Sequence, residues 1–321
     1  MVFDVKHFRP YEERHQGQRC GFLRRYGGPE ALKYEHDAPE PAIGPDMVLI
    51  ESVGTSVNPI DWKIRSGARQ KDFPLDLPAI LGKDVSGIVR AVGSDIRNFK
   101  PGDRVIAMAD ATYAEYVAVP GALVTHLPDG MDLIDAAAIP LVALTGEQLV
   151  RLATRAAAGQ TILVIGALGS VGRAAVHTAK KLGAKVVAGV RARQLAEVES
   201  LDVSLAFALD DDAAIARLEA VDGVADTVGG ETAAKLLSKV RTGGRFGYAS
   251  ALPVDVSAKN PTVELSRVFA RPDPSKLREF ADDVRDGKFV LPISRRLPLR
   301  DAGTAHDLMQ KGGGGKIVLM T

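Results

Sequence analysis

From Gly21 to about residue 138, short apolar runs alternate with turn residues. The runs MVLIESVGTSV, VSGIVRAVG, DRVIAM and AEYVAVP are separated by PEPAIGPD and NFKPGD. Short β-branched runs with this punctuation predict antiparallel strands in a barrel-like or partly open sheet. From about Ala136 the period changes. DAAAIPLVALTGEQLVRLATRAA carries helical spacing, and strands then alternate with helices: TILVIG, a helix over 170–182, AKVVAGV, a helix over 192–200, LAFAL, a helix over 211–220, GVADTV and a helix over 231–240. GGRFGYAS, SRVFA and a helix over PSKLREFADDVRDG close the series. This repetition predicts a parallel, doubly wound sheet. The tail from Phe289 returns to irregular strands with one helix, passes a GGGG turn at 312–315 read as flexible, and ends on a β run able to rejoin the first domain. The pattern predicts an α/β protein: a discontinuous domain in 21–138 and 289–321 around a continuous doubly wound domain in 139–288.

The first twenty residues, MVFDVKHFRPYEERHQGQRC, are polar and lack a signal-peptide core; they read as an extension, ordered or disordered, before a first strand near Gly21–Tyr26. No uninterrupted apolar run approaches the roughly 20 residues of a membrane span. At 321 residues the chain is long enough for two domains. A net charge of +1 gives no overall field toward nucleic acid or an anionic membrane, so neither is expected as a partner. Cys20, the one cysteine, excludes an internal disulfide and a multi-cysteine zinc site, and an unpaired thiol fits a cytoplasmic setting.

LVIGALGSVG, Leu163 to Gly172, is the most informative stretch. A buried strand breaks into glycines and a helical pattern follows at once, although each glycine costs about 1 kcal/mol relative to alanine in a regular element. Aligned on its last glycine the loop reads Ala167-x-Gly169-x-x-Gly172, a variant of the dinucleotide fingerprint in the expected βαβ setting. Gly169 admits a pyrophosphate close to the backbone, Gly172 lets the helix pack on the strand, and the amides near Ser170 and Val171 donate to phosphate. A tight turn that needs glycine for steric reasons is the competing reading. An NAD site carries Asp or Glu at the end of the second strand. Here that strand ends in VVAGVRAR, and no acidic residue lies between Gly172 and Glu197. Arg191 and Arg193 stand where a 2′-phosphate would lie, which points to NADP(H), unless the two arginines are merely solvated.

A second signature comes from the N-terminal part. YGGPEALKYEHDAPEPAIGPDMVLIESVGTSVNPIDWKIRSG, LPAILGKDVSGIVRAVG and FKPGDRVIAM, followed by DTVGG and GKIVL, resemble the medium-chain dehydrogenase/reductase superfamily. The nearest branch in this resemblance is the zinc-independent quinone oxidoreductase and enone reductase group. It implies a GroES-like β-barrel catalytic domain with a Rossmann nucleotide domain, and a homodimer through the sheet edge near Ser250–Phe269. Zinc-dependent relatives carry a ligand cysteine where this chain has NPID and Gly-His-Glu where it has Gly82-Lys83-Asp84. The six histidines are scattered without ligand spacing, and His177 reads as helix packing, so no metal is expected.

The implied reaction is hydride transfer from NADPH to a quinone or an α,β-unsaturated carbonyl compound, with the protein placing the cofactor and handling the proton. The resemblance sets Asn58 against the cofactor's ribose and nicotinamide, Asp61 in the catalytic cleft, and Lys63 near the substrate oxygen as enolate stabiliser and proton donor. A solvated surface lysine is the alternative for Lys63. Tyr248, at the carboxyl edge of a nucleotide-domain strand, is a second proton-donor candidate or a packing residue. Thr145 matches a family position near the nicotinamide, with a back-bonded helix threonine as the plainer reading. Val228 and Gly229 are expected under the cofactor, and Asp226 is expected to orient their turn. Two other readings remain: a carbonyl or enoyl-thioester reductase of a biosynthetic pathway, and a non-catalytic NADPH-binding protein.

Overall fold

The computed structural model describes residues 17–253, 255, 257, 260–312 and 315–321. Residues 1–16 of the expected extension, and two glycines of the expected flexible turn, lie outside these. The chain divides into two compact units, Met1–Ala138 with Ser294–Thr321, and Ile139–Ile293. The sequence pattern sets the second boundary earlier, after Lys288.

Among the described residues of the first segment lie the strands β1 (Gln18–Leu23), β2 (Leu32–Ala38), β3 (Met47–Val57), β4 (Ala79–Ile80), β5 (Asp84–Val92), β6 (Arg104–Met108), β7 (Tyr116–Pro120) and β8 (Val124–His126). Helix α1 (Pro59–Arg65) follows β3, and α2 (Leu133–Ala136) precedes the boundary. The second unit contains β9 (Thr161–Ile165), β10 (Lys185–Val190), β11 (Leu205–Ala208), β12 (Val221–Asp226), β13 (Val240–Tyr248) and β14 (Glu264–Arg267). Its α-helices are α3 (Pro140–Gln148), α4 (Ser170–Lys181), α5 (Asp212–Arg217), α6 (Gly230–Leu236) and α7 (Pro274–Arg285). The chain then returns through β15 (Ile293–Pro298), α8 (Ala302–Lys311) and β16 (Lys316–Met320).

The first unit is antiparallel. Its larger sheet runs β15-β16-β3-β5-β6-β8, with β7 also on β3; β2-β1-β4 form a smaller sheet. The eleven-residue β3 is the organising strand, since β5, β7 and β16 all pair with it. The inward faces of these strands supply a core of Val48, Ile50, Val85, Val89, Val105, Val117 and Val119. Among the described residues the first strand begins at Gln18, earlier than the polar stretch QRC suggests. Gln18 is buried, its amide donating to the Pro39 carbonyl at 3.0 Å and accepting from the Tyr116 N–H at 2.9 Å. An amide side chain satisfied on both sides substitutes for the apolar residue that pattern reading looks for. Cys20 is buried beside it, and burial pushes its thiol up to about 12, which makes it unreactive.

The second unit is a six-stranded parallel sheet in the order β11-β10-β9-β12-β13-β14. Both faces are covered, one by a core including Leu163, Ile165, Val224, Leu236 and Phe246, the other by Ile162, Val164, Ala175, Val176 and Val186. Burial on both faces explains why TILVI and KVVAGV are apolar runs and not alternating strands. The helix expected at 192–200 is a 3-10 helix, Ala192–Leu201. The one expected at 231–240 ends earlier: Leu237–Lys239 tightens into a 3-10 turn and Val240 already belongs to β13. His177 packs as expected, its ring against Phe280 and Phe289 and its Nε2 2.8 Å from Asp283.

Helix α3 runs on as a π-helical turn, Leu149–Thr154. Taken with the residues before it, Leu133–Thr154 has the length and apolar content of a membrane span, despite the interruptions seen in sequence. Most of it is buried in the protein, as in a core helix.

Candidate functional site

In the parallel sheet, the connection after β9 leads to β10 on one side, while β12 continues to β13 on the other. The carboxyl ends of β9 and β12 therefore flank a topological switch point, where doubly wound sheets bind ligands. Two loops meet there. Gly166–Gly169 leaves β9 and enters α4, and Thr227–Gly229 leaves β12 and enters α6. Thr227 joins them: its N–H and hydroxyl both donate to the Ile165 carbonyl, at 3.2 and 2.8 Å.

Glycine is required in this turn for two different reasons. Gly166 has φ +80°, and a Cβ there would fall 2.5 Å from Thr227 Oγ1. A Cβ on Gly172 would lie 2.1 Å from the Gly166 carbonyl oxygen, so α4 reaches the loop only without a side chain. Gly169, the N-cap, is exposed and has no side chain to satisfy the first turn. The first helical backbone bond is Arg173 N–H to Gly169 O at 2.8 Å. The N–H groups of Ser170, Val171 and Gly172 therefore have no acceptor within the helix. Ala167 is buried, its N–H directed to the Gly189 carbonyl at 3.3 Å. This anion-ready turn fits the pyrophosphate of a dinucleotide.

Asp226 holds the second loop. It is fully buried, and its Oδ1 accepts from the N–H groups of Val228 and Gly229 at 2.9 and 3.0 Å. Burial raises its pKa to about 6, against those two bonds. Gly229 has φ +76°. Val228 is 51% exposed, a large apolar side chain presented at the switch point. Thr145 Oγ1 donates to Leu141 O at 2.6 Å, the back-bonded geometry. The next residue, Gly146, lets α3 close on the first turn of α4, where a Cβ would fall 2.5 Å from Val171 O. Tyr248 ends β13 opposite Asp226, and its ring packs on the core of Leu163 and Ile165. Arg191 and Arg193 are exposed at the end of β10, without a side-chain partner among the described residues.

The other unit gathers a buried polar cluster. α1 opens with a capping box between Asn58 and Asp61. Asp61 Oδ2 accepts from the Asn58 N–H at 2.7 Å and from the Tyr113 hydroxyl at 3.1 Å. The Asn58 side-chain amide donates to Asp84 Oδ2 at 2.7 Å, and its carbonyl oxygen accepts from the Lys316 ammonium. Lys316 Nζ lies 3.3 Å from Asp84 Oδ2, and Ser56 also donates to that oxygen. Lys316 is 2% exposed and Asp84 fully buried. Behind them, Tyr113 Oη lies 3.0 Å from His306 Nε2, and burial drops the imidazole pKa to about 3, so the ring is neutral. Sequence reading missed Ser56, Tyr113, His306 and Lys316 as parts of this cluster. The one signal was a lysine heading the apolar run KIVLM.

This arrangement corrects the expectation for Asp61. A carboxylate 1% exposed, occupied by a helix cap and a tyrosine, does not stand in an open cleft. It fixes α1. Burial, with a smaller contribution from Asp84, pushes its pKa up to about 7. Lys63, on the same helix, is half-buried, with Nζ 5.6 Å from the Trp62 ring centroid and no carboxylate partner among the described residues. Burial first, and the Arg69 charge second, hold its pKa below the usual lysine range.

The same cluster bears on zinc. Lys83 pairs with Asp110, Asp84 is taken up by an ammonium, an amide and a hydroxyl, and NPID offers no thiolate. Among the described residues, no three His, Cys, Asp or Glu side chains converge. A cation already paired with Asp84 and a donor set without thiolate or imidazole do not fit a zinc ion.

Comparison with known proteins finds two family matches along the chain. Residues 44–129 match the alcohol dehydrogenase GroES-like domain family, and 182–319 match the zinc-binding dehydrogenase family. The chain is 33% identical over 326 residues to a quinone oxidoreductase of Pseudomonas aeruginosa, covering 92% of this chain and 97% of that one. It is 37% identical over 196 residues to the chloroplastic NADPH-dependent alkenal/one oxidoreductase of Arabidopsis thaliana, covering 57% and 50%. A mycobacterial protein solved in complex with NADPH superposes with a TM-score of 0.82 at 27% identity, covering 95% of this chain and all of that one.

The shifted Asp61 pKa gives a test. With its folded pKa raised from 3.8 to about 7, the folded state holds a proton that the unfolded state has lost. Asp61 therefore withdraws stability as pH rises through that window. Relative to an Asp61→Asn variant, the wild-type protein is expected to lose up to ~1.4 kcal/mol per pH unit between about pH 4 and 7, and to level off above. Urea unfolding of both proteins across pH measures this; parallel curves contradict it.

Proposed function

Because the chain belongs to the quinone oxidoreductase group of the medium-chain dehydrogenase/reductase superfamily, whose members use nicotinamide cofactors, we propose that it is an NADPH-dependent reductase of quinones or α,β-unsaturated carbonyl compounds, working without zinc. The observation that carries this reading is the end of β10. Arg191 and Arg193 stand there without an ion-pair partner among the described residues, and no acidic residue lies between Gly172 and Glu197 to take an NAD ribose.

When bound, the reduced nicotinamide supplies a hydride to an already electrophilic acceptor. The amides of Ser170, Val171 and Gly172 hold the pyrophosphate, with Gly169 clearing the approach and Ala167 backing the turn. Arg191 and Arg193 take the 2′-phosphate. Val228 and Gly229 form the floor beneath the cofactor, kept in shape by Asp226. Thr145 lines the site through a hydroxyl oxygen that can still accept a hydrogen bond. Asn58, its amide held by Asp84 and Lys316, is the residue that the family resemblance assigns to the nicotinamide end. Lys63 is the proton donor: its lowered pKa eases release of a proton to the developing enolate or quinol oxygen. Tyr248, half-buried with its ring packed against the core, takes no proton-transfer role in this reading, and Asp61 positions the helix that carries Lys63.

Oxidation of NADPH with a short-chain enone, 1,4-benzoquinone, an aldehyde and an enoyl thioester tests the function. Turnover of the enone or quinone is expected. Turnover of the thioester or aldehyde alone points to a biosynthetic reductase, and binding without turnover of any acceptor to a non-catalytic NADPH protein. Lys63→Ala is expected to lower kcat by roughly 10²–10⁴-fold with NADPH affinity unchanged; an unaltered rate removes Lys63 from the mechanism. Joint replacement of Arg191 and Arg193 by Ala is expected to weaken NADPH by at least about tenfold, and NADH far less.

A further inference from the structure

Arg173 is the first residue of α4 whose backbone N–H finds an acceptor inside the helix. Side chains on a helix tilt toward its N-terminus, so this one points back over the glycine loop. Its Nε donates to the carbonyl of Leu168, at the tip of that loop, at 3.1 Å. That bond uses one of five guanidinium donors. The other four, on Nη1 and Nη2, have no protein partner among the described residues. Glu197 is the charge that acts on the group from across the gap, without forming an ion pair. It sits on the 3-10 helix Ala192–Leu201, the segment that Arg191 caps. The guanidinium therefore stands between the tip of the glycine loop and the segment that follows β10.

Several other cations of this unit are held in ion pairs. On the same helix Lys180 pairs with Asp202 and Lys181 with Asp283, and elsewhere Arg151 pairs with Glu147 and Arg245 with Glu264. Arg173, Arg191 and Arg193 share the lack of such a carboxylate, and all three border the β9–β10 end of the switch point. Arg173 is also half-buried, and burial holds its pKa below the usual arginine range. A partly dehydrated cation with four free donors is poorly solvated until an anion arrives. A phosphate dianion presents several acceptors to a planar guanidinium at once.

We propose that Arg173 is a third arginine of the 2′-phosphate pocket, clamping the cofactor's adenosine phosphate from the α4 side opposite Arg191 and Arg193. This rests on the NADPH reading and deepens it. It assigns a specificity-determining residue where the dinucleotide fingerprint prescribes none, immediately after the last glycine. The Leu168 contact sets its direction: anchored through Nε, the guanidinium turns its Nη face outward, away from the loop carbonyl.

Calorimetric titration of wild-type protein, Arg173→Gln and Arg173→Lys with NADPH, NADH, 2′,5′-ADP and 5′-AMP tests the assignment, with thermal unfolding of each variant alongside. Arg173→Gln is expected to weaken NADPH and 2′,5′-ADP by roughly 10–100-fold, the loss of charge-assisted bonds to one phosphate. NADH and 5′-AMP should stay within about twofold, and Arg173→Lys should recover part of the loss. Unchanged 2′,5′-ADP affinity in Arg173→Gln, with wild-type protein binding normally, overturns the role of Arg173 and leaves the NADPH reading standing. Equal losses for NADH and 5′-AMP also overturn it, because the residue would then contact the shared phosphates. Wild-type protein that binds neither NADPH nor 2′,5′-ADP overturns both readings together.

Discussion

An ammonium and a carboxylate that leave water must find each other, and in this protein that requirement falls on Lys316 and Asp84. Neither has appreciable contact with solvent. Taking either charge out of water alone costs several kcal/mol, so the pair is tolerated only with good geometry and further hydrogen bonds. Asn58 and Ser56 supply them. The consequence reaches beyond stability. Asn58 is held by its side chain at Asp84 and Lys316 and by its backbone at Asp61, so the entry to α1 has a single orientation. Lys63 sits one turn further along. The cluster thus determines where a half-buried ammonium is presented.

The parallel-sheet unit resolves the opposite electrostatic situation. There the donors are left open. Three helix amides without acceptors inside the helix, two exposed arginines and a half-buried third border the ends of β9 and β10, and among the described residues none of the three guanidinium groups forms an ion pair. A protein keeps such groups apart from its own anions at a cost in stability that ligand binding offsets. Thr227 and Asp226 keep the two loops of the switch point fixed while this happens, the first by two bonds to Ile165, the second by capping Val228 and Gly229. Rigid loops bearing unsatisfied donors are what a preorganised anion site requires.

Much of this was legible in the sequence, for physical reasons that differ between elements. TILVI and KVVAGV are apolar without alternation because both faces of the sheet are covered, and the glycines between them are set by close approach and positive φ. The doubly wound arrangement, the loop at 166–172 and the arginines after β10 follow from local pattern. Lys316 does not. Its partners lie 258 and 232 residues away, so locally it reads as a charge opening an edge strand. Asp61 misleads in the other direction: the family resemblance places it in a catalytic cleft, while its bonds are those of a helix cap. Gln18 escaped because pattern reading equates polar with exposed. Ala192–Leu201 has helical spacing, but periodicity does not separate 3-10 from α geometry over ten residues.

The position of β16 has a consequence for the order in which the protein is made. Its neighbour β3 is translated roughly 260 residues earlier, and the whole parallel-sheet unit emerges in between. That unit is contiguous and can close on itself while still tethered to the ribosome. The pairing of β3 with β16 must wait, with Asp84 lacking Lys316 as its counter-ion, until β16 emerges. The interval during which β3 presents this open edge is therefore set by the length of the insertion.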